Sequence, residues 1–586
     1  MKRWLTIILI SILATMFIYP SAFIYPQDTL PDNNDTRLIA YIIGQVQENI
    51  LEHRPLHYGT FFAPDQSTLA YSDLFLTSAV LTLPFRLFTN SPIAIFNLAL
   101  VLNFALTIIS SYLLFGYFFK DHWITALTVI LFNFSGFHLS YLPHLQIFSL
   151  WPLCLSIYFF TRYLNENRTS LLLLFYLSVT AQIAESILPA YLIFFTCILI
   201  VIAHAIKFRS TKNVTDVAEV PAKSRAERIH PSILGKEVEH GFLRSSKRRH
   251  FLFQILISSL PFVPLWIFLL LPYYQLHTSL PEATRPIRDA AHFSLGLDQI
   301  FTFYHSWTVI ILLAISLLSS QIVYHHRSQS RPPILKRLRN AKKHGFSVLR
   351  GFFAARQDGP AAGRRAVRFS KWVTMKSDQG AWILVLIFSL VMSLGPVLKI
   401  FGQNLRLFGF PIPLPYALFY YLFPGFTGFR TPSRFIVLAL ISVVIIIGFQ
   451  LKPIFGKLKP KTKLIFILLT LSLLFVEADL PLKSYPVNIN MHPVYQEVTN
   501  LHPDAVILEL PVKLWNMPDH EIESIRSLYT LFHKHRRFGG FSGFATNRWI
   551  DLVQKINAYG LTPPIVESLR SLGITHVIQN NKISGL

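Results

Sequence analysis

Apolar runs close to 20 residues long recur along most of this chain, and that is the length a helix needs to cross a bilayer. They are Trp4 to Ile24, Ile93 to Phe119, Trp123 to Leu142, Ile147 to Tyr163, Ser170 to Glu185, Ile187 to Ile206, Phe251 to Tyr273, Phe301 to Tyr324, Ala381 to Phe401, Phe435 to Leu451 and Leu464 to Val476. About 11 transmembrane helices are predicted. One water-soluble core could not take up so many segments, so the expected fold class is an all-α polytopic membrane protein. Composition agrees: 52% of residues are hydrophobic, only 14% are charged, 51 are Phe, and mean hydropathy is +0.44. Met1-Lys2-Arg3 before the first run has the look of a signal-peptide start. That run is long and shows no clear small-residue cleavage site near Ile24, so it reads as a retained span.

A net charge of +24 would suit nucleic-acid binding if it were spread over a soluble face. Here its location argues otherwise. With the N-terminus inside, the loops Lys207 to His250, Arg327 to Asp378 and Lys452 to Lys463 are cytoplasmic, and they hold 11, 14 and 5 Lys or Arg. That is the positive-inside pattern. The clusters Ser246 to Arg249, Lys336 to Arg339 and Gly363 to Arg365 read as juxtamembrane polybasic segments facing anionic lipid, at about 1 kcal/mol per charge near the surface. The lipid bilayer is therefore the expected partner, with no nucleic acid. Cys154 and Cys197 fall in apolar runs and read as small buried hydrophobes without a disulfide or metal role.

The same topology puts residues 22–92, the turn around His144, residues 275–300 and 402–434, and everything after Glu477 on the outer side. Residues 1–478 then form the membrane core and residues 479–586 an extracytoplasmic domain. Within the first outer loop, Leu38, Ile42, Val46 and Ile50 recur at helical spacing with Arg37, Gln45, Gln47, Glu48 and Asn49 between them. This predicts an amphipathic helix at the membrane surface, followed by a second interfacial stretch from Leu74 to Phe88. In the C-terminal region, residues 505–511 and 573–578 read as strands and residues 564–572 as a helix, which predicts a small α/β cap.

The outer segments carry the ionisable residues. Asp35 and Asp73 each sit near the start of an interfacial helix, where the dipole favours an ionised carboxylate suited to base or metal-ligand duty. The plain structural alternative is that each caps the helix that follows. Arg430 and Arg434 flank Thr431-Pro432-Ser433 at the outer mouth of a span; paired guanidinium groups suit a phosphate, and snorkelling to the interface is the rival explanation. Arg37 and His144 are further outer-side candidates for substrate contact. A lone His is commonly a hydrogen-bonded interface residue, so His144 carries that alternative too. Glu185, at the end of an apolar run, is a functional candidate because ionisable groups near lipid are costly. A divalent cation at Asp35 and Asp73 is compatible with these residues but not required by them. No phosphate-binding loop, nucleophile elbow or zinc-type cluster is present in the sequence. The Gly-rich stretch Gly539 to Phe544 lacks a helix-opening Lys and reads as a turn.

Asn34-Asp35-Thr36, then Phe62-Ala63-Pro64-Asp65 and Thr68 to Asp73, resemble the first outer loop of bacterial and archaeal GT-C-type membrane proteins, the superfamily of protein O-mannosyltransferases and lipid A aminoarabinose transferases. Ser393 to Pro396, Pro413 to Tyr416 and Phe423 to Phe435 are similar to a late outer loop and span of that group. Ile507 to Pro511, Gly540 to Gly543 and Leu572 to Ile578 are similar to its outer cap. The resemblance covers most of the chain except the two long basic loops. Family members often carry Gly immediately before the first-loop acid, where this chain has Asn34. The resemblance implies a GT-C fold that uses a polyprenyl-phosphate-linked sugar without a nucleotide donor and acts in the cell membrane on an acceptor glycan, lipid or protein. It also implies Asp35 as catalytic carboxylate, Asp73 as a second site acid, and Arg430 with Arg434 at the lipid phosphate. The rival functions are a polyprenyl-glycan flippase, which predicts charges deep in spans and broken helices, and a non-enzymatic scaffold.

Overall fold

The structure, a computed structural model, describes residues 2–216, 245–302, 306–329, 377–480, 482–487 and 491–586. The expected basic loops at 207–250 and 327–378 lie mostly outside the described residues. What is described is mostly helical, with a few small sheets.

Among the described residues, five helices are long and apolar enough to cross a membrane: Pro92–Phe119, His122–Ser140, Leu145–Glu166, Ile187–Ile206 and Pro432–Phe455. A sixth exists if Phe251–Ser259 and Val263–Ser279, which meet at 65°, form one broken span. These features mark a membrane protein. The expectation of 11 spans is thus met only in part, because several apolar runs are cut short. The first helix ends at Ile18, just before Pro20, and the helix from Ser377 ends at Ser393, ahead of Gly395 at φ 71°. Pro460–Glu477 includes Lys461, Lys463 and Glu477. Ile7–Ile18, Leu76–Leu87, Thr169–Glu185, Trp307–Leu318 and Gln379–Ser393 are shorter apolar helices.

Local chemistry fixes where the long helices start and turn. Ser91 Oγ accepts from the Ala94 N–H at 3.3 Å ahead of Pro92, whose missing N–H costs nothing in a first turn. After Phe119 the chain reverses through Lys120, and Asp121 Oδ1 caps the next helix by accepting from Trp123 and Ile124 at 3.0 Å. The Pro432–Phe455 span packs so closely on its neighbour that a Cβ at Gly448 would fall 2.2 Å from the Phe119 ring.

The C-terminal region, called the cap below, holds the expected small sheet and helix. Its four-stranded sheet runs in the order Lys582–Gly585, His576–Gln579, Val506–Glu509, Arg536–Arg537. The Val506 strand pairs parallel on both sides, and all four of its residues are buried, which explains an apolar run without alternation. The predicted helix appears at Pro563–Ser571. The segment 60–63 extends this sheet: the Arg537 N–H donates to Thr60 O at 2.8 Å, that of Ala63 to Arg537 O at 3.0 Å and that of Phe62 to Gly539 O at 3.2 Å. Beneath lies a compensated set of buried charges. Arg537 bonds Glu509 and, at 2.6 Å, Glu523, while Arg526 reaches Glu523 at 3.1 Å.

This docking changes the setting of the Asp35–Leu51 helix. Its polar side faces protein: Thr36 to Asn49 are all buried, and the helix packs on the cap helix Ile522–His533 as well as on the spans. Gln47 donates to Thr82 Oγ1 at 2.9 Å, Asn49 to Tyr58 O at 2.7 Å, and Glu48 pairs with Lys534.

Candidate functional site

The Asp35 helix begins without a side-chain cap from Asn34, whose φ of −122° needs no glycine, so the departure from the family pattern is harmless to the backbone here. Asp32 does the work of satisfying the helix start. Its Oδ1 accepts from the Asn34 N–H at 2.9 Å, the Thr36 N–H at 3.0 Å and the Thr36 hydroxyl at 2.9 Å. The Asp35 carboxylate is left for other use. It is 47% exposed, and its Oδ2 lies 3.2 Å from Nδ1 of His144, from the turn between two spans.

Two opposed effects set the Asp35 proton affinity. Burial pushes it up, but His144 beside it, with the nearby charges of Arg430 and Arg434, holds the carboxyl below its ordinary value. Asp73 goes the other way. Burial raises it, and the Ser186 hydroxyl, the Arg434 charge and the Ile187 N–H only partly oppose that. Asp73 Oδ1 accepts from Ile187 N at 3.3 Å, at the first residue of the Ile187–Asp216 helix. It therefore caps a distant span rather than the helix that follows it in sequence. Two carboxyls pushed in opposite directions are a common way for a site to separate base from neutral roles.

Asp73, Arg430 and Arg434 line a cavity of about 790 Å³, together with Gln146, Tyr191 and Arg285. That volume is typical of a small-molecule site. Its walls come from residues 70–73, the His144 turn, the end of the Val263–Ser279 helix, residues 420–434 and the cap loop at Gly543–Phe544. Two polar atoms of the lining, Arg434 Nε and Gln146 Oε1, are buried without a hydrogen-bond partner among the described residues. The Arg430 guanidinium stacks 5.3 Å from the Phe293 ring centroid. Arg285 roofs the cavity: its guanidinium donates to Gly543 O and lies 5.5 Å from the Phe544 ring centroid, and its backbone N–H donates to Thr427 O at 3.0 Å.

Two of the expected residues sit elsewhere. Arg37 is buried, donates to Asn33 Oδ1 at 3.1 Å, and has Asp32, Glu521 and Tyr529 as charge neighbours, which makes it a joint between the first loop and the cap. Glu185 is fully buried; it accepts from the Ser78 N–H at 2.8 Å and the Ser78 hydroxyl at 2.5 Å, and Ser78 in turn accepts from Asn103 at 2.9 Å. That network pins the Leu76–Thr82 helix to the Thr169–Glu185 helix and the Pro92–Phe119 span. Gln146, Tyr191 and Tyr273 join the cavity without having been singled out in the sequence; only the nearness of Gln146 to His144 hinted at it. Among the described residues, no group of three or more His, Cys, Asp or Glu is placed to hold a metal ion.

No protein-family model matches the chain. No curated protein matches it either. Among solved structures, the chain is similar to the archaeal oligosaccharyltransferase AglB from Archaeoglobus fulgidus, solved in complex with an inhibitory peptide and a dolichol-phosphate. The alignment covers 98% of this chain and 69% of that one, with 11% sequence identity and a TM-score of 0.46.

Proposed function

We propose that this chain is an integral membrane glycosyltransferase that moves a sugar from a polyprenyl-phosphate donor to an acceptor on the outer face of the membrane. One arrangement carries the reading: an ionised carboxylate freed from capping, paired with His144, beside two arginines that line a cavity walled by outer-side segments. Asp35 accepts the proton of the acceptor group as its oxygen attacks the anomeric carbon. The bond from that carbon to the phosphate oxygen breaks in the same displacement, which inverts the configuration. Charge grows on the leaving polyprenyl phosphate, and Arg430 with Arg434 meets it through forked donors; the unpaired Nε of Arg434 is a ready contact. His144 orients Asp35 and keeps it ionised. Gln146 Oε1 offers an acceptor for a sugar hydroxyl, and Asp73 fixes the helix start beside Arg434.

A flippase reading keeps one observation in its favour, the 65° break between Phe251–Ser259 and Val263–Ser279, whose second half reaches the cavity at Tyr273. Binding of undecaprenyl phosphate without sugar, followed by native mass spectrometry on wild type, Arg430→Gln and Arg434→Gln, tests the phosphate site. A loss of roughly tenfold or more per variant is expected, since hydrogen bonds to charged groups contribute about 1.5–3 kcal/mol. Unchanged binding in both variants would place the phosphate elsewhere.

A further inference from the structure

Between the Ser377–Ser393 helix and the Pro415–Leu422 helix the chain folds into two tiny hairpins, Lys399–Ile400 with Gln403–Asn404 and Arg406–Leu407 with Phe410–Pro411. Each turns through two residues of the same type, Phe401-Gly402 and Phe408-Gly409. All four have positive φ, at 47°, 75°, 51° and 84°. Two-residue turns of this kind favour Asn or Asp before the Gly, because a bulky side chain in the left-handed region is strained. Phe62 and Phe75 hold similar backbone inside the core, where packing repays it. At the hairpin tips there is no such return: Phe401 is 80% and Phe408 91% exposed. A strained residue choice, made twice and repaid by nothing among the described residues, is a signature of contact with something else.

The base of this unit is rigid. Lys399 Nζ donates to Ala291 O at 2.7 Å and His292 O at 3.2 Å, the last carbonyls of the Ile287–His292 helix. Asp298 Oδ1 accepts from Phe401 N at 2.8 Å, and Leu398, Leu405 and Ile412 are joined by backbone bonds. The tips are thus stiff points on a fastened stem. The arms are so short, at about 3.3 Å per residue, that the tips stay within roughly 10–15 Å of the stem. That stem begins five residues beyond the end of the apolar Gln379–Ser393 helix. Exposed Leu407 and Phe410 continue the apolar surface, and Leu418, Tyr421 and Leu422 carry it along the next helix to the cavity rim. Exposed Arg406 stands within the same ribbon, suited to lipid phosphate.

We propose that the twin hairpin is a membrane wedge, with Phe401 and Phe408 inserted into the outer leaflet of the bilayer beside the cavity mouth. The test uses site-directed spin labels on the full chain in phosphatidylglycerol–phosphatidylethanolamine vesicles. Cys154 and Cys197 are buried, so an added cysteine labels selectively. A label at Phe408→Cys is compared with Ile198→Cys, in a span, and Tyr559→Cys, exposed on the cap. The wedge predicts that collision with oxygen exceeds collision with a water-soluble nickel chelate at 408, as at 198 and opposite to 559. A second arm labels Gln403→Cys with the tips intact or as Phe401→Asn and Phe408→Asn, a change that relieves the turns and so preserves folding. Its depth should fall to the aqueous value in the double variant. Nickel collision at 408 matching that at 559 overturns the proposal. So does shielding from both reagents, which would mean a protein partner or a second copy covers the tips, and so does a Gln403 label whose depth ignores the double substitution.

Discussion

Asp32 and Asp35 stand three residues apart on the same helix start, and the structure gives them separate jobs, so exchanging them one at a time makes a sharp test. Asp32→Ala removes the acceptor of two backbone N–H groups and the Thr36 hydroxyl. Loss of a capping carboxylate costs about 0.5–2 kcal/mol, and three bonds to one oxygen argue for the upper half of that range. Spread over so large a chain, this lowers the unfolding midpoint by only roughly 1–3 °C, because the shift per kcal/mol falls with size. It leaves the folded fraction, and transfer per folded molecule, close to wild type. Asp35→Asn keeps the shape and loses the base. Proton transfer by a positioned side chain contributes about 10²–10⁴-fold, or roughly 3–5 kcal/mol of barrier. Stability should hardly change. The assay pairs thermal unfolding in detergent with sugar transfer per folded molecule. The reasoning fails if Asp35→Asn lowers the midpoint as much as Asp32→Ala does, or if Asp32→Ala matches its loss of transfer while still folded.

Other expectations follow from the same contacts. A base must be ionised, so activity falls as pH drops through the Asp35 pKa. Burial raises that pKa, while His144 and the two arginines hold it down. Removing His144 in His144→Ala should therefore move the acid limb of the pH–rate profile upward, and an unmoved limb would remove His144 from that role. Arg537→Ala leaves Glu509 and Glu523 buried with only Arg526 between them, which should destabilise the cap by about 3–5 kcal/mol. Hydrogen exchange at Val506–Glu509 reads this directly. In wild type, burial raises the Glu509 carboxyl, but Arg537 and Arg526 bring it below its ordinary value, so its stabilising share is present above the ordinary carboxylate range and lost as pH falls through the folded pKa. The variant should lose cap protection at higher pH than wild type; identical acid sensitivity would mean the pair does not anchor the cap.

What could be read from sequence tracked what is local. Apolar runs located the long helices, and the strands near 506 and 576 with the helix after Thr562 were legible from their patterning. Asp35 and Asp73 stood out by their places near helix starts, and Arg430 and Arg434 by flanking Thr431-Pro432-Ser433 at the end of a span. Three things were not legible. The polar residues of the Asp35–Leu51 helix suggested a water-facing side, yet Gln47, Glu48 and Asn49 face Thr82, Lys534 and Tyr58, contacts made across up to 486 residues of chain. Arg37 shares that fate: its spacing placed it on the helix's polar side, and only the docked cap shows which neighbours that side has. The meeting of His144 with Asp35 depends on how two separate turns converge, which no periodicity encodes. Span length misled where a proline or glycine cut a run, as at Pro20 and Gly395.

Sugar transfer itself is the most direct measurement. Membranes holding matched amounts of wild type or Asp35→Asn are given radiolabelled sugars on a panel of polyprenyl-phosphate donors, with glycan, lipid and peptide acceptors. The account predicts labelled product from at least one donor with wild type and a drop of about 10²-fold or more with the variant. Equal product from both would contradict the role given to Asp35, and none from wild type across the panel would contradict the transferase reading.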